Sequence, residues 1–297
     1  MLVNDKVKNK KIKEKFNKNA YEWKGIAFLL PSMIGVGIFY FVPYVDVLRR
    51  SFVSVSGSGF TGLRNIESVL LNQSFKLAFQ NTGKFMLVCI PLLLIISLFF
   101  ALILKELTPS VGFLKTGFLL PMGIPVASVV LFWKVFFGRS GLLNHILEAF
   151  GIGGIDWMNS SSAFGVLVFS YIWKNLGYNI ILWLAGLSII PNQIYEAAKM
   201  DGANKRARFI FITLPNLKSS IFIIAVMAII NSFKVFREAY LISGNYPHES
   251  MYMLQHIFNN WFRNLSIDKL AAGAFLVSMV FLSLIGILYK SYGKGVE

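Results

Sequence analysis

Glu196-Ala197-Ala198-Lys199-Met200-Asp201-Gly202-Ala203, with Ile212-Thr213-Leu214-Pro215 beginning nine positions further on, is a polar segment between two long apolar runs. So specific a pattern in a connecting segment points to contact with another protein, because loops carry function on the scaffold that holds them. Its flanks suggest its shape. Pro191-Asn192 stops the preceding run, and Asn192 is placed to cap a new helix starting at Gln193. Residues 193–200 are good helix formers, and Ala197 and Ala198 are small enough to let another surface approach. Asp201-Gly202 reads as a turn. Residues 205–213 read as a second short helix, with Phe209 and Ile212 spaced to pack inward, before Leu214-Pro215 re-aims the chain. The expectation is a helix-turn-helix elbow on one face of a membrane.

The membrane follows from composition. Of 297 residues, 56% are hydrophobic and 14% charged, and the mean hydropathy is +0.62; soluble domains average about 25% charged. Crossing a bilayer takes about 20 mostly apolar residues. Six runs meet that test, at 25–45, 85–104, 114–137, 163–190, 221–242 and 272–289. The chain thus divides into a basic tail at 1–24, a membrane domain at 25–290 containing the elbow at 191–217, and a short tail at 291–297. The N-terminal apolar run is too long for a signal peptide and follows a lysine-rich tail.

Orientation is read from lysine and arginine. Eight lysines from Lys6 to Lys24 place the N-terminus in the cytoplasm, and six spans return the C-terminus, with Lys290 and Lys294, to the same side. Lys105 and Lys115, then Lys199, Lys205, Arg206, Arg208 and Lys218, fall on that side too. The net charge of +15 therefore reads as topology and attraction to anionic lipid. Nucleic acid is set aside because no recognition motif accompanies the charge. The single cysteine, Cys89, excludes an internal disulfide and a cysteine metal site, and the three histidines have no ligand spacing.

Polar residues at membrane depth are costly and usually face a bundle interior or a wet cavity. The fourth run carries Tyr171, Lys174, Asn175, Tyr178 and Asn179; the fifth carries Asn231, Ser232, Lys234, Arg237 and Glu238. Tyr171, Asn175, Tyr178 and Asn179 follow helical spacing and can share a face. Two readings compete: a hydrophilic path for a neutral polyhydroxylated solute, or interhelical hydrogen bonds with Lys174, Lys234 and Arg237 snorkelling to an interface. Pro121-Met122-Gly123-Ile124-Pro125 in the third run is either a hinge or a static kink.

The pattern E-A-A-x-x-D-G-A followed by I-x-L-P-x-L resembles the EAA loop of binding-protein-dependent ABC importer permeases. The resemblance extends along nearly the whole chain. Leu184–Pro191 and Trp173-Lys174 resemble the carbohydrate-uptake branch, of maltose and glycerol-phosphate type. Phe28-Leu29-Leu30-Pro31-Ser32, Ser51-Phe52 and Phe60-Thr61-Gly62-Leu63 resemble the first permease of a sugar-importer pair.

The resemblance implies an all-α polytopic membrane protein with six transmembrane helices and the type I (MetI-like) permease fold. It implies a bacterial plasma-membrane subunit, multi-pass with both termini cytoplasmic. Its partners would be a second homologous permease, two ATPase subunits and an extracytoplasmic solute-binding protein, in a lipid bilayer and without nucleic acid. ATP and Mg would be bound by the ATPase subunits, leaving no cofactor in this chain. Glu196 would make the polar contact to the ATPase, Ala197 and Ala198 would let the helix seat, and Asp201-Gly202 would turn the chain before Ala203. Leu214 and Pro215 would anchor the elbow to its own membrane domain. The sugar contacts of maltose-type relatives fall at or near Tyr171, Lys174, Asn175, Tyr178 and Ser232; the polar clusters add Asn179 and Asn231. The chain has no phosphate-binding Gly-x-x-x-x-Gly-Lys-Ser/Thr loop, so it is not expected to be an enzyme. Alternatives are a permease for a non-sugar solute, a polytopic membrane enzyme and a self-sufficient secondary transporter. The last would need internal repeats with matching broken helices.

Overall fold

The computed structural model describes residues 25–54, 59–106 and 112–292. The basic tail at 1–24 and Lys294 lie outside the described residues. Five helices are long and apolar enough to cross a membrane: Gly25–Ser51, Gln73–Glu106, Val126–Ala149, Lys218–Ile242 and Ile267–Ser291. A sixth span is Ala163–Ser188, which bends by 68° into Asn192–Met200. Among the described residues the only strand-like pairing is an isolated bridge between Val53 and Phe60.

The second span is the backbone of the bundle. Its 34 residues extend about 51 Å, against a hydrocarbon core of about 30 Å. It is therefore longer at its N-terminal end than the expected 85–104. Phe85, Cys89, Leu93, Ser97, Ala101 and Leu104 are buried along it at spacings of three and four, which is one face of a helix. That face meets the fourth span. Trp183 Nε1 donates to Ser97 Oγ at 2.9 Å, and Phe85 meets Tyr171 edge-on at 5.4 Å. Close packing of this kind holds helices together where lipid removes any hydrophobic drive between them.

The projecting N-terminal end of the second span holds the segment from Glu249 to Leu254. Asn81 Nδ2 donates to the carbonyls of Glu249 and Tyr252, at 2.6 and 3.0 Å, and Thr82 Oγ1 accepts from Leu254 N. The short helix Leu254–Arg263 is fixed there, with His256 and Ile257 buried. The first span wraps the outside: none of its apolar window is buried within the chain. It touches the sixth through Tyr44 and Ser278, whose hydroxyls are 3.2 Å apart.

The third span, expected over 114–137 with a hinge or kink at 121–125, is broken at that cluster. It is two half-length helices, Gly112–Gly123 and Val126–Phe137, separated at Ile124-Pro125. Pro125 is extended, with φ −56° and ψ 139°, and lacks the amide that would continue the ladder. Pro121 stays inside its helix. Each half of 12 residues is about 18 Å long, too short to cross alone. The apolar stretch continues past a turn at 138–141 to Ala149. The first half-helix crosses the fourth span where Gly177 leaves no room for a side chain: a Cβ there would overlap the Phe118 carbonyl.

Proline also shapes two other sites. Ahead of Pro43 the first span opens into a π-helical turn at Gly37–Phe41, and ahead of Pro215 a second lies at Phe209–Thr213. In each, the amide just before the proline bonds five residues back, Val42 to Gly37 and Leu214 to Phe209. The wider turn accommodates a ring that has no N–H to give.

Candidate functional site: the elbow and the polar face behind it

The elbow begins where the fourth span ends. Pro191, extended at ψ 135°, turns the chain, and the Asn192–Met200 helix starts directly after it. The expected cap at Asn192 is not made. Asn192 is itself the first helical residue and Pro191 holds the cap position without a side-chain bond; a capping side chain needs a non-helical backbone. The helix ends on Gly202, at φ +80°. Gly202 N donates to Lys199 O at 3.1 Å and Ala203 N to Ala198 O at 2.9 Å. These two bonds form a Schellman motif, whose left-handed residue is most cheaply glycine. Asn204 then caps the next helix by accepting from Ala207 N at 2.8 Å. This cap was legible as a helix-start residue but had not been assigned.

Glu196, Ala197, Asp201 and Gly202 are exposed, while Ala198 and Ala203 are half-buried. The anchor of the elbow lies elsewhere than expected. Leu214 and Pro215 are exposed, whereas Thr213 and Leu217 are buried. Leu217 sits in a core with Ile180, Trp183, Leu187 and Ile224. The apolar ring of Pro215 stays outside because the π-helical turn places Thr213 inward, where its hydroxyl lies 3.0 Å from Tyr195 Oη.

Between the elbow and the end of the second span is a cavity of about 480 Å³. Asn192, Tyr195, Glu196 and Lys199 line it from one face of the elbow helix, and Lys105 and Glu106 from the span. Lys205 and Arg208 close a third side. Lys105 Nζ donates to Leu187 O at 3.2 Å and lies 4.5 Å from the centre of the Tyr195 ring.

The polar face of the fourth span is bonded partly to the fifth span and partly back onto its own helix. Tyr171 is buried and its hydroxyl donates to Ala228 O of the fifth span at 3.3 Å. Asn175 and Asn179 donate to carbonyls four residues back, both at 2.9 Å. Asn179 is buried, with its Oδ1 unpartnered among the described residues. Ser232 is buried and bonds Ile229 O at 2.6 Å. Lys174, Asn175, Tyr178 and Asn231 are half-buried and remain reachable from outside the chain.

Lys174 does not snorkel. Its Nζ lies 3.1 Å from Glu238 Oε1, with 14% and 7% of the two side chains exposed. Glu238 was in the sequence cluster but had not been paired. The signal was available: opposite charges at membrane depth on neighbouring spans seek each other.

The family model for binding-protein-dependent transport system inner membrane components matches residues 81–296. The chain belongs to that family. The permease is 30% identical over 276 residues to the trehalose/maltose transport system permease protein MalF of Thermococcus litoralis, covering 91% of this chain and 93% of that one. It is 29% identical to the lactose transport system permease protein LacF of Rhizobium radiobacter, covering 91% and 93%. It is also 29% identical to the sn-glycerol-3-phosphate transport system permease protein UgpA of Escherichia coli, covering 92% and 95%. Its fold matches a bacterial ABC transporter involved in import of the acidic polysaccharide alginate, with a TM-score of 0.82 at 20% identity over 95% of this chain and 99% of that one. The expected all-α, six-span importer fold is thus met. The permease is a multi-pass membrane transport subunit of an ABC importer. As a member of that family it is the inner-membrane component of a transport system that depends on a solute-binding protein.

Proposed function

We propose that this permease translocates a sugar or related polyhydroxylated solute, and that the elbow is its contact with the ATPase. The names of the relatives, for trehalose/maltose, lactose and glycerol phosphate, support the solute class. In this reading the elbow and both termini face the cytoplasm, as the lysine distribution expects. ATP and Mg act on the ATPase subunits. Glu196 supplies the polar contact, Ala197 and Ala198 let the helix seat, and Asp201, Gly202 and Ala203 fix its end. Leu214 and Pro215 present the apolar corner beside it.

The observation that carries this is the helix Asn192–Met200, standing 68° off its span with Glu196 and Ala197 exposed. A rigid helix so placed transmits a push from the ATPase into the fourth and fifth spans, which a two-state bundle converts into a change of access. Lys174, Asn175, Tyr178 and Asn231 line the solute path, with Tyr171, Asn179 and Ser232 setting their positions from behind. The test is uptake by the assembled importer in proteoliposomes, with solutes chosen by screening its binding protein. ATP-dependent uptake of a sugar or polyol supports the reading. A binding protein that takes only non-hydroxylated solutes refutes the solute class.

A further inference from the structure

The cavity behind the elbow is cationic. Among the described residues that line it, Lys105, Lys199, Lys205 and Arg208 face only two acidic groups, Glu106 and Glu196. Lys205 and Glu106 meet at 3.4 Å but both are exposed, and such pairs hold each other weakly. Lys105 uses one of its three donors on Leu187 O. Lys199 has no partner among the described residues. Arg208 Nε is out of reach of water and makes no hydrogen bond among the described residues. A buried donor of this kind calls for an acceptor. The level is that of a membrane surface, because the second and fourth spans end here, at Glu106 and Ser188. A space of about 480 Å³ is of the size that holds a small organic ligand rather than a lone ion.

We propose that this cavity binds a phosphate group carried on a larger molecule, with Arg208 and Lys199 as its main ligands and Lys105 beside them. Guanidinium donors match phosphate oxygens in geometry, and the lysines add charge. Lys199 and Arg208 belong to the elbow and Lys105 to the second span, so an occupant ties the two together. An anionic phospholipid headgroup and a soluble phosphate ester offer the same chemistry. The site is independent of the solute; only its consequence for coupling rests on the role proposed for the elbow.

The test uses the assembled importer in nanodiscs and reads acetylation rates of Lys105 and Lys199 by mass spectrometry, relative to Lys218 outside the cavity. Three samples are compared: phosphatidylcholine, phosphatidylcholine with added inorganic phosphate, and phosphatidylcholine mixed with phosphatidylglycerol. Slowing of about fivefold, the share of one basic residue at an anionic surface, is expected. Slowing in the phosphatidylglycerol sample alone identifies a lipid, and slowing with phosphate identifies a soluble ester. Arg208→Gln removes the effect and Arg208→Lys restores part of it. Lys199→Gln, on an exposed helix, weakens protection at Lys105 if Arg208→Gln fails to fold. Equal rates in all three samples, or protection unchanged in both glutamine variants, overturns the proposal. ATPase retention, measured on the same samples, reports separately on coupling.

Discussion

Lys174 on the fourth span and Glu238 on the fifth form an ion pair at 3.1 Å with both side chains largely out of solvent. Removing one partner strands the other charge, whereas removing both strands neither. Lys174→Met and Glu238→Gln are each expected to destabilise the permease by about 3 kcal/mol, and the double variant by no more than either single one. Thermal unfolding of the purified importer, arranged as a double-mutant cycle, checks this. Additive losses would show that the two residues act separately.

Gly177 sets the crossing of the fourth span with the half-helix Gly112–Gly123. A Cβ there would overlap the Phe118 carbonyl, whereas a Cβ at Gly165 of the same span meets nothing within 4 Å. Gly177→Ala is expected to cost at least about 2 kcal/mol, because backbone rather than a flexible side chain must move. Gly165→Ala should be neutral or slightly stabilising, since alanine is the better helix former. Membrane yield and unfolding temperature of the two variants check the contrast.

His256 gives the short helix Leu254–Arg263 a pH dependence. It is fully buried, edge-on to Phe236 at 4.7 Å and stacked with Tyr252 at 5.6 Å. Met253 N donates to its Nδ1 at 3.0 Å, which suits the neutral ring. Burial lowers its pKa from 6.5 to about 4. The unfolded chain therefore binds the proton first as pH falls, so stability drops from about pH 6.5 and levels off below about 4. Between pH 7 and 5 the loss is about 2 kcal/mol. Unfolding temperatures against pH should show this slope in the wild type and a shallower one in His256→Phe. Equal slopes would remove His256 as the cause.

Much of this was readable from residue order. The spans follow from apolar runs, and the elbow from Pro191, Asp201-Gly202 and Leu214-Pro215. Most of what residue order left open depends on contact between segments distant in the chain. The proline cluster at 121–125 marked the break in the third run, and what residue order left open was which proline makes it: Pro121 stays helical and Pro125 does not. The family resemblance implied Leu214 and Pro215 as the anchor, yet Thr213, at the end of the π-helical turn, and Leu217 are the buried residues. Polar spacing on the fourth span allowed either a solute path or interhelical bonds, and Tyr171 takes the second, spending its hydroxyl on Ala228 of the next helix. The Lys174–Glu238 pair needed the relative rotation of two spans, which no single-helix periodicity contains.

Gly202 holds the elbow's end at φ +80° with open space around its Cα. Strain rather than collision therefore governs substitution there. Gly202→Ala should cost about 1 kcal/mol and retain partial uptake. Uptake equal to the wild type, with unchanged unfolding temperature, would show that the Schellman turn does not constrain the elbow.

In the proposed function, the helix bearing Glu196 couples the ATPase to the solute path. The most direct test expresses Glu196→Ala and Gly202→Asp with all partner subunits, then measures ATPase co-purification and solute uptake together. Both variants are expected to reach the membrane, retain less ATPase and lose most uptake. Full uptake with normal ATPase co-purification in both variants would contradict it.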